Sequence, residues 1–262
     1  MSIDVPELAD LEQGRGRWRT AVAGVLSKST RKDPEQLGDQ PERLLETATY
    51  DGIAIRALYT ALDELSEPPL PGEWPYVRGG DALRDVNAGW KVAEAFLVAG
   101  ADDHNAAVLT ALSDGVSALF IRVGESGVAP GELAQLLSGV YLDLVPVVLD
   151  AGADYAQVCD VLLALVGQRA DEPKAMSIDL GADPLTAKLS GRGAPSMEQV
   201  VAVATRAAGN HRVRAISVDG PAFHNLGANA TWELAGSVAA AVAYLRVLTE
   251  SGIAVGDALR QI

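Results

Sequence analysis

The sequence lacks a second cysteine and any long apolar run. Because a disulfide needs two cysteines, Cys159 cannot form one within the chain. Its place in the apolar run 158–166 favours a small buried side chain over a reactive thiol. No apolar stretch reaches the roughly 20 residues that span a bilayer, and the acidic start is unlike a signal peptide. We therefore expect a cytoplasmic protein.

Positive charge is also scarce. The 262 residues carry 21 Lys and Arg against 35 Asp and Glu, which gives a formal net charge of −14. An acidic surface repels nucleic-acid phosphates and anionic lipid headgroups, so neither is an expected partner.

Metal-binding patterns are missing as well. The chain has three histidines, one cysteine and no H-E-x-x-H motif, so no spacing of zinc ligands is present. His104 and His211 lie in polar surroundings near the ends of predicted elements, which favours solvated surface positions. We expect no metal site.

The first 75 residues differ from the rest. An apolar repeat close to 3.6 residues predicts a helix over residues 6–28, and the Pro/Gly-rich segment 70–75 interrupts regular structure. The segment has too little continuous apolar sequence for a core of its own. We therefore predict an N-terminal arm, 1–75, that lies on its own domain or on another chain.

From residue 90 onward, apolar strand patterns alternate with helical ones. The predicted strands are 90–96, 116–123, 144–149, 174–180 and 213–218. The predicted helices are 102–113, 130–137, 155–166, 197–208 and 230–251. Ser196 and Gln199 form a capping-box pattern before the fourth helix. Residues 255–262 are typical of a further helix that leads to a strand.

This α/β alternation predicts parallel pairing through right-handed crossovers. Either a doubly wound sheet or a (β/α)8 TIM-type barrel fits, and the similarity of the units favours the barrel. A closed barrel needs eight strands and about 250 residues, whereas only about 170 follow residue 90. We therefore expect a partial barrel over residues 76–262.

Four polar motifs are candidates for chemistry. The glycine segments 124–127 and 191–193 are too short to indicate phosphate loops, and turns are the simpler interpretation. The carboxylate pairs are 102–103 and Asp179 with Asp183. Asp179 is predicted to end a strand, where the active face of a barrel lies, although carboxylates more often cap helices than react.

His224 lies in an H-x-x-G pattern that is part of the D-x-H-x-x-G motif of cobalamin-binding histidines. The aspartate position of that motif, two residues earlier, is Ala222. No carboxylate is expected to orient the imidazole, so we predict a loop histidine that bonds to local backbone.

Several stretches together resemble the methylmalonyl-CoA mutase family. They are an arm segment ending in Leu58-Tyr59-Thr60, a Pro-Gly segment ending in Arg78-Gly79, Trp90 in the first barrel strand, and 216–220 with 227–235 and 244–246. The resemblance covers most of residues 45–262. It implies a substrate barrel and a separate cobalamin domain, which we expect to be absent from this chain.

The resemblance also implies a catalytic tyrosine and a catalytic histidine in the family's active chain. By spacing, these positions hold Asp85 and Ala222 here. A methyl group cannot donate a hydrogen bond, and an ionised Asp85 would repel an acidic thioester. The pattern therefore resembles the family's small subunit, which has no active site, and we expect no catalytic, cofactor-binding or metal-binding residues.

The resulting hypothesis is a non-catalytic partner of a large catalytic subunit. That partner would carry adenosylcobalamin and convert methylmalonyl-CoA to succinyl-CoA in propionate metabolism. The N-terminal arm would contribute to the contact, with Trp18, Tyr59 and Trp74 as candidate anchors. The alternative is an acyl-CoA-binding barrel with its own isomerase activity. Since the family's small subunits are longer, we also expect the sequence to be part of a longer chain.

Overall fold

The structure is a computed structural model that describes residues 8–83, 86–87, 89–96, 104–124, 127–169, 176–209 and 212–262. It divides into two compact units, Met1–Asn87 and Ala88–Ile262. In the part of the chain that is described, no helix combines the length and the apolarity needed to cross a bilayer.

The first unit contains one long helix, α1 (Leu8–Thr30), and a small antiparallel ribbon of β1 (Thr47–Ala48) and β2 (Ala54–Ile55). The helix predicted over 6–28 is thereby confirmed. Its apolar stripe is only partly covered, because Leu26 is buried whereas Leu8 and Val25 are exposed.

Ion pairs connect the remainder of this unit. Arg19 Nε lies 2.7 Å from Glu42 Oε1. Asp63 receives two guanidinium groups, from Arg56 at 2.8 Å and from Arg15 at 3.5 Å. Such contacts between partly exposed groups each stabilise a fold only modestly. The unit therefore depends on polar contacts more than on a core.

The second unit is a series of parallel strands and helices. The strands are β3 (Ala93–Phe96), β4 (Ala118–Arg122), β5 (Val147–Asp150), β6 (Ile178–Ala182) and β7 (Val213–Ile216). The helices are α2 (His104–Ser113), α3 (Leu133–Leu136), α4 (Tyr155–Arg169), α5 (Met197–Ala207), α6 (Gly220–Asn225), α7 (Ala230–Glu250) and α8 (Val255–Arg260).

The strand order separates the two architectures that the sequence left open. The five strands pair in the order β3-β4-β5-β6-β7, and every pair is parallel. A doubly wound sheet reverses direction at a switch point, whereas a barrel adds each strand to the same edge. The chain therefore forms part of a TIM-type barrel.

The helices pack against one face of this sheet. Alternate strand residues, including Leu119, Leu149 and Leu180, are buried in one apolar core with the helices. The residues between them, such as Val148 and Asp179, point to the opposite, concave face. Since successive strand residues alternate between faces, β4 to β6 each carry an apolar set and a mixed set.

Two local signals in the sequence are confirmed. Ser196 accepts a hydrogen bond from Gln199 N, and Gln199 Oε1 accepts one from Ser196 N at 2.8 Å, so the capping box begins α5. At the other end of the unit, Ile216 N donates to Gln261 O at 2.9 Å. The helix predicted within 255–262 is confirmed as α8, and the residue after it bonds to β7, whereas the strand predicted to follow stays a prediction.

Candidate functional site

Charged residues face each other on the concave side of the sheet. Arg122 and Asp150 are register partners at the carboxyl ends of β4 and β5, and Arg122 Nε lies 3.1 Å from Asp150 Oδ2. Asp179 and Arg214 are register partners nearer the amino ends of β6 and β7. Opposite charges directly across a pair of strands stabilise each other. On this face each of these arginines therefore lies opposite an aspartate.

A cavity of about 410 Å³ lies at the carboxyl ends of β4 to β7. Its walls include Arg122 and Asp150 from the sheet and Thr186 and Arg192 from the loop 183–195. In barrel enzymes, the loops at the carboxyl ends of the strands build the active site. This cavity is therefore the candidate functional site of the second unit.

Asp183 organises one side of the cavity. It directly follows β6, and its side chain accepts hydrogen bonds from the hydroxyls of Tyr244 and Thr186. The backbone N–H of Asp219 donates to the same carboxylate at 2.7 Å. Each oxygen of Asp183 thus has a donor, which is how a buried carboxylate is tolerated.

Asp179 does not lie where the sequence placed it. The strand was predicted over 174–180, but β6 runs from Ile178 to Ala182, so Asp179 is near the amino end and Asp183 follows the carboxyl end. Burial raises the pKa of Asp179, while the Ser217 hydroxyl, which donates to it, counteracts part of that rise. Asp179 therefore lies outside the candidate site and connects β6 with Ser217, which follows β7.

Asp219 is the third carboxylate near the cavity. The group is exposed but partly desolvated, and its pKa is raised first by this desolvation and then by the neighbouring charges of Asp183 and Asp150, with Arg192 opposing them. A nearby negative charge disfavours ionisation of a carboxyl group. The site thus combines two guanidinium groups with three carboxyl groups and has no excess of positive charge.

Of the two positions at which the family resemblance implies a catalytic residue, the structure describes only Ala222. Ala222 lies in α6 and is only 2% exposed, so its methyl group is packed inside the fold. Asp85 lies outside the described residues. No donor stands at the first of these positions, and the absence of catalytic residues stays a prediction.

His224 corrects the sequence interpretation. It lies in the helix α6 and not in a loop, and its Nδ1 is 3.2 Å from Glu233 Oε2 rather than on local backbone. A carboxylate does therefore orient the imidazole. The side chain is exposed, and within the described ranges no three His, Cys, Asp or Glu residues cluster as metal ligands. Among the described residues, His224 therefore lacks the neighbouring ligands that a metal ion held by protein side chains alone needs.

The other candidates are structural. Cys159 is buried and its pKa is raised to about 12 by burial, as its apolar context predicted. The 191–193 segment is a turn whose arginine reaches Asp150. His104 begins α2 and is half-exposed. Residues 102–103, 125–126 and His211 lie outside the described part of the chain.

Arg122 and Asp150 of the cavity wall, and Tyr244 behind it, were not predicted as site residues. Arg122 and Asp150 each end a strand, and Tyr244 lies in α7. A charged residue at the end of an apolar strand is the signal that could have identified the first two. Nothing in the local sequence indicates that Tyr244 bonds to a carboxylate 61 positions away.

Comparison with known proteins adds independent findings. A sequence model described as methylmalonyl-CoA mutase matches residues 121–262. The whole chain is 73% identical to the "Probable methylmalonyl-CoA mutase small subunit" of Mycobacterium tuberculosis, and it covers 43% of that protein. Over 94% of its length it is 36% identical to the "Methylmalonyl-CoA mutase small subunit" of Streptomyces virginiae, of which it covers 40%.

A more distant similarity is to a large subunit. The chain is 26% identical over 95% of its length to the "Methylmalonyl-CoA mutase large subunit" of Streptomyces virginiae, of which it covers 38%. The chain thus spans less than half of the length of each of these relatives.

Proposed function

Because the chain belongs to the methylmalonyl-CoA mutase family, we propose that it acts as the non-catalytic small subunit of a two-chain mutase. Its partner is a large catalytic subunit that converts methylmalonyl-CoA to succinyl-CoA in propionate metabolism, in the cytoplasm. The similarity to proteins named small subunit, at up to 73% identity, supports this assignment.

One observation carries the proposal that the chain itself does not catalyse. The family resemblance assigns its histidine position to Ala222, whose methyl group is buried. A methyl group cannot stabilise charge that develops on a thioester oxygen. The loss of one such donor typically lowers a rate by about 10²–10³. Asp85, at the tyrosine position, would remove a second donor.

The cofactor belongs to the partner in this proposal. Adenosylcobalamin supplies the radical that starts the rearrangement when it is bound there. In this proposal His224, which is exposed and pairs with Glu233, is not a cobalt ligand. No step of the reaction is therefore assigned to residues of this chain.

Exposed aromatic groups of the first unit support a role in subunit contact. Trp74 is 79% exposed and Tyr59 is 55% exposed, whereas Trp18 is half-buried. Large exposed apolar side chains concentrate at protein–protein interfaces. Trp74 and Tyr59 are therefore the better candidate anchors of the arm.

Co-expression with the large-subunit gene of the same organism tests the proposal. We expect one complex that co-elutes in size-exclusion chromatography and forms succinyl-CoA when adenosylcobalamin is added, while the chain alone forms none. Two separate peaks would contradict the partner assignment. Turnover by the chain alone would contradict the non-catalytic role and favour an isomerase activity of its own.

A further inference from the structure

We propose that Arg122 and Arg192 form a carboxylate-binding site, and that the side chain of Asp150 in the same chain occupies it as an internal ligand. We call the two arginines together with Asp150 the two-arginine site. Its occupation by Asp150 holds the loop 183–195 over the carboxyl end of the sheet. This inference concerns the second unit alone and does not depend on the proposed function.

The geometry of the two-arginine site is that of an anion held by two guanidinium groups. Arg122 Nε lies 3.1 Å from Asp150 Oδ2, and Arg192 Nη1 contacts the same oxygen. The three side chains are between 15% and 31% exposed, so water competes only in part. Guanidinium groups present several N–H donors in a plane and prefer carboxylates as partners.

The two arginines come from different parts of the unit. Arg122 is the last residue of β4 and is the register partner of Asp150 in β5, so the sheet fixes this pair. Arg192 arrives from the loop that follows β6. One carboxylate oxygen therefore connects two strands with the later part of the loop, whose beginning is held by Tyr244.

Glycines permit the loop to approach closely. Gly152 has φ +52°, and a Cβ added there would lie 3.3 Å from the carbonyl oxygen of Gly193. A Cβ added to Gly193 would lie 3.2 Å from the Cβ of Ala153. The end of the loop thus rests on the turn that follows Asp150, which brings Arg192 within reach of the carboxylate.

The other carboxylates of the cavity do not pair with the two arginines. Asp183 already accepts from Tyr244, Thr186 and the Asp219 backbone. Asp219 is exposed at the start of α6, and both arginines pair with Asp150 instead. Removing Asp150 would therefore leave two guanidinium groups side by side without their shared anion, in a cavity large enough for a small carboxylate.

Chemical rescue tests this inference. In Asp150→Ala, we expect hydrogen exchange of the amides in 183–195 to rise at least about tenfold and the melting temperature to fall. Sodium acetate should reverse both effects in this variant, and sodium chloride of equal ionic strength should not. Wild type should not respond to acetate, because Asp150 already fills the site.

Two further variants control the experiment. Asp160→Ala removes the partner of Arg206 in a pair that is 51% and 62% exposed, and it should show neither the loop effect nor rescue. Arg192→Ala should loosen the loop but remain insensitive to acetate, because Asp150 still pairs with Arg122 and the loop no longer carries a guanidinium group at the site. This second prediction holds even if Asp150→Ala proves too unstable to purify.

Either of two results would overturn the inference. If loop exchange is unchanged in both Asp150→Ala and Arg192→Ala, the two-arginine site does not hold the loop. If the loop loosens in Asp150→Ala but acetate stabilises it no more than chloride does, the arginines are not a carboxylate site.

Discussion

The phenol of Tyr244, in the middle of α7, donates a hydrogen bond to the carboxylate of Asp183, directly after β6. The same phenol oxygen accepts the backbone N–H of Leu185 at 2.9 Å. Tyr244 is fully buried and its pKa is raised, first by this burial and then by Asp183. One side chain thus connects the long helix with the loop that borders the cavity.

Tyr244→Phe should therefore destabilise the fold. The substitution leaves Leu185 N without its acceptor and removes a donor from Asp183, so we expect the free energy of unfolding to fall by about 1–3 kcal/mol. Urea titration followed by circular dichroism measures the change. Tyr141→Phe is the matched control, since Tyr141 is 72% exposed and should change little. Equal losses in both variants would contradict the role of Tyr244.

Gly181 should tolerate no side chain. It has φ +73° inside β6, where the register with β7 shifts, and a Cβ added there would lie 1.8 Å from Leu149 O. We expect Gly181→Ala to cost about 3 kcal/mol or more, because the strained backbone and the clash act together.

Gly167→Ala is the control for that experiment. Gly167 lies in α4 with no atom within 4 Å of an added Cβ. Alanine is the better helix former, so the variant should be more stable by up to about 1 kcal/mol. A stable Gly181→Ala variant would show that β6 can shift to make room.

The fold class could be predicted from the sequence because each buried strand is an apolar run between helical repeats. The strand ends could not. The strand predicted over 174–180 stops before Gly181, a residue that normally weakens a strand, yet β6 continues through it to Ala182. Because the strand ends later than predicted, Asp183 and not Asp179 follows its carboxyl end and lies at the site.

The candidate site was harder to predict, because its contacts join distant positions. Arg192 meets Asp150 through a loop whose path depends on the close approach at Gly152 and Gly193. The Glu233 partner of His224 depends on how α6 and α7 pack together. Neither contact has a signature in the spacing of neighbouring residues.

Cys159 should be nearly inert in the folded chain. Burial raises the pKa of its thiol from 9.0 to about 12, with Tyr155 and Arg206 counteracting part of that rise. Near neutral pH the thiolate fraction then falls by about a thousandfold, and thiolate is the reactive form. We expect negligible reaction with Ellman's reagent in buffer and one equivalent in urea. Rapid reaction in buffer would indicate that α4 opens readily.

The raised pKa of Cys159 also predicts how the stability of the fold changes at alkaline pH. The folded state keeps the thiol proton to higher pH than the unfolded chain does. This group therefore leaves stability unchanged below about pH 9 and lowers it as the pH rises from there towards 12, by up to about 1.4 kcal/mol per pH unit. Cys159→Ala should have a smaller loss of stability over this range.

Trp74 provides the sharpest test of the proposed subunit contact. Trp74 is 79% exposed and its ring centroid lies 5.8 Å from that of Tyr76 in an edge-to-face arrangement, which leaves most of the side chain free for a partner. If it is an interface anchor, Trp74→Ala should cost about 2 kcal/mol of binding, or a rise of about thirtyfold in the Kd for the large subunit. Surface plasmon resonance measures that Kd.

Trp232→Ala is the matched control, because Trp232 in α7 is similarly exposed, at 69%, but belongs to the second unit. Both variants lose one exposed indole, so general effects on solubility or stability should be shared. A selective loss of affinity in Trp74→Ala would place the contact on the arm. The reverse pattern would instead assign it to the α7 surface, since the same loss of aromatic area would then matter only there.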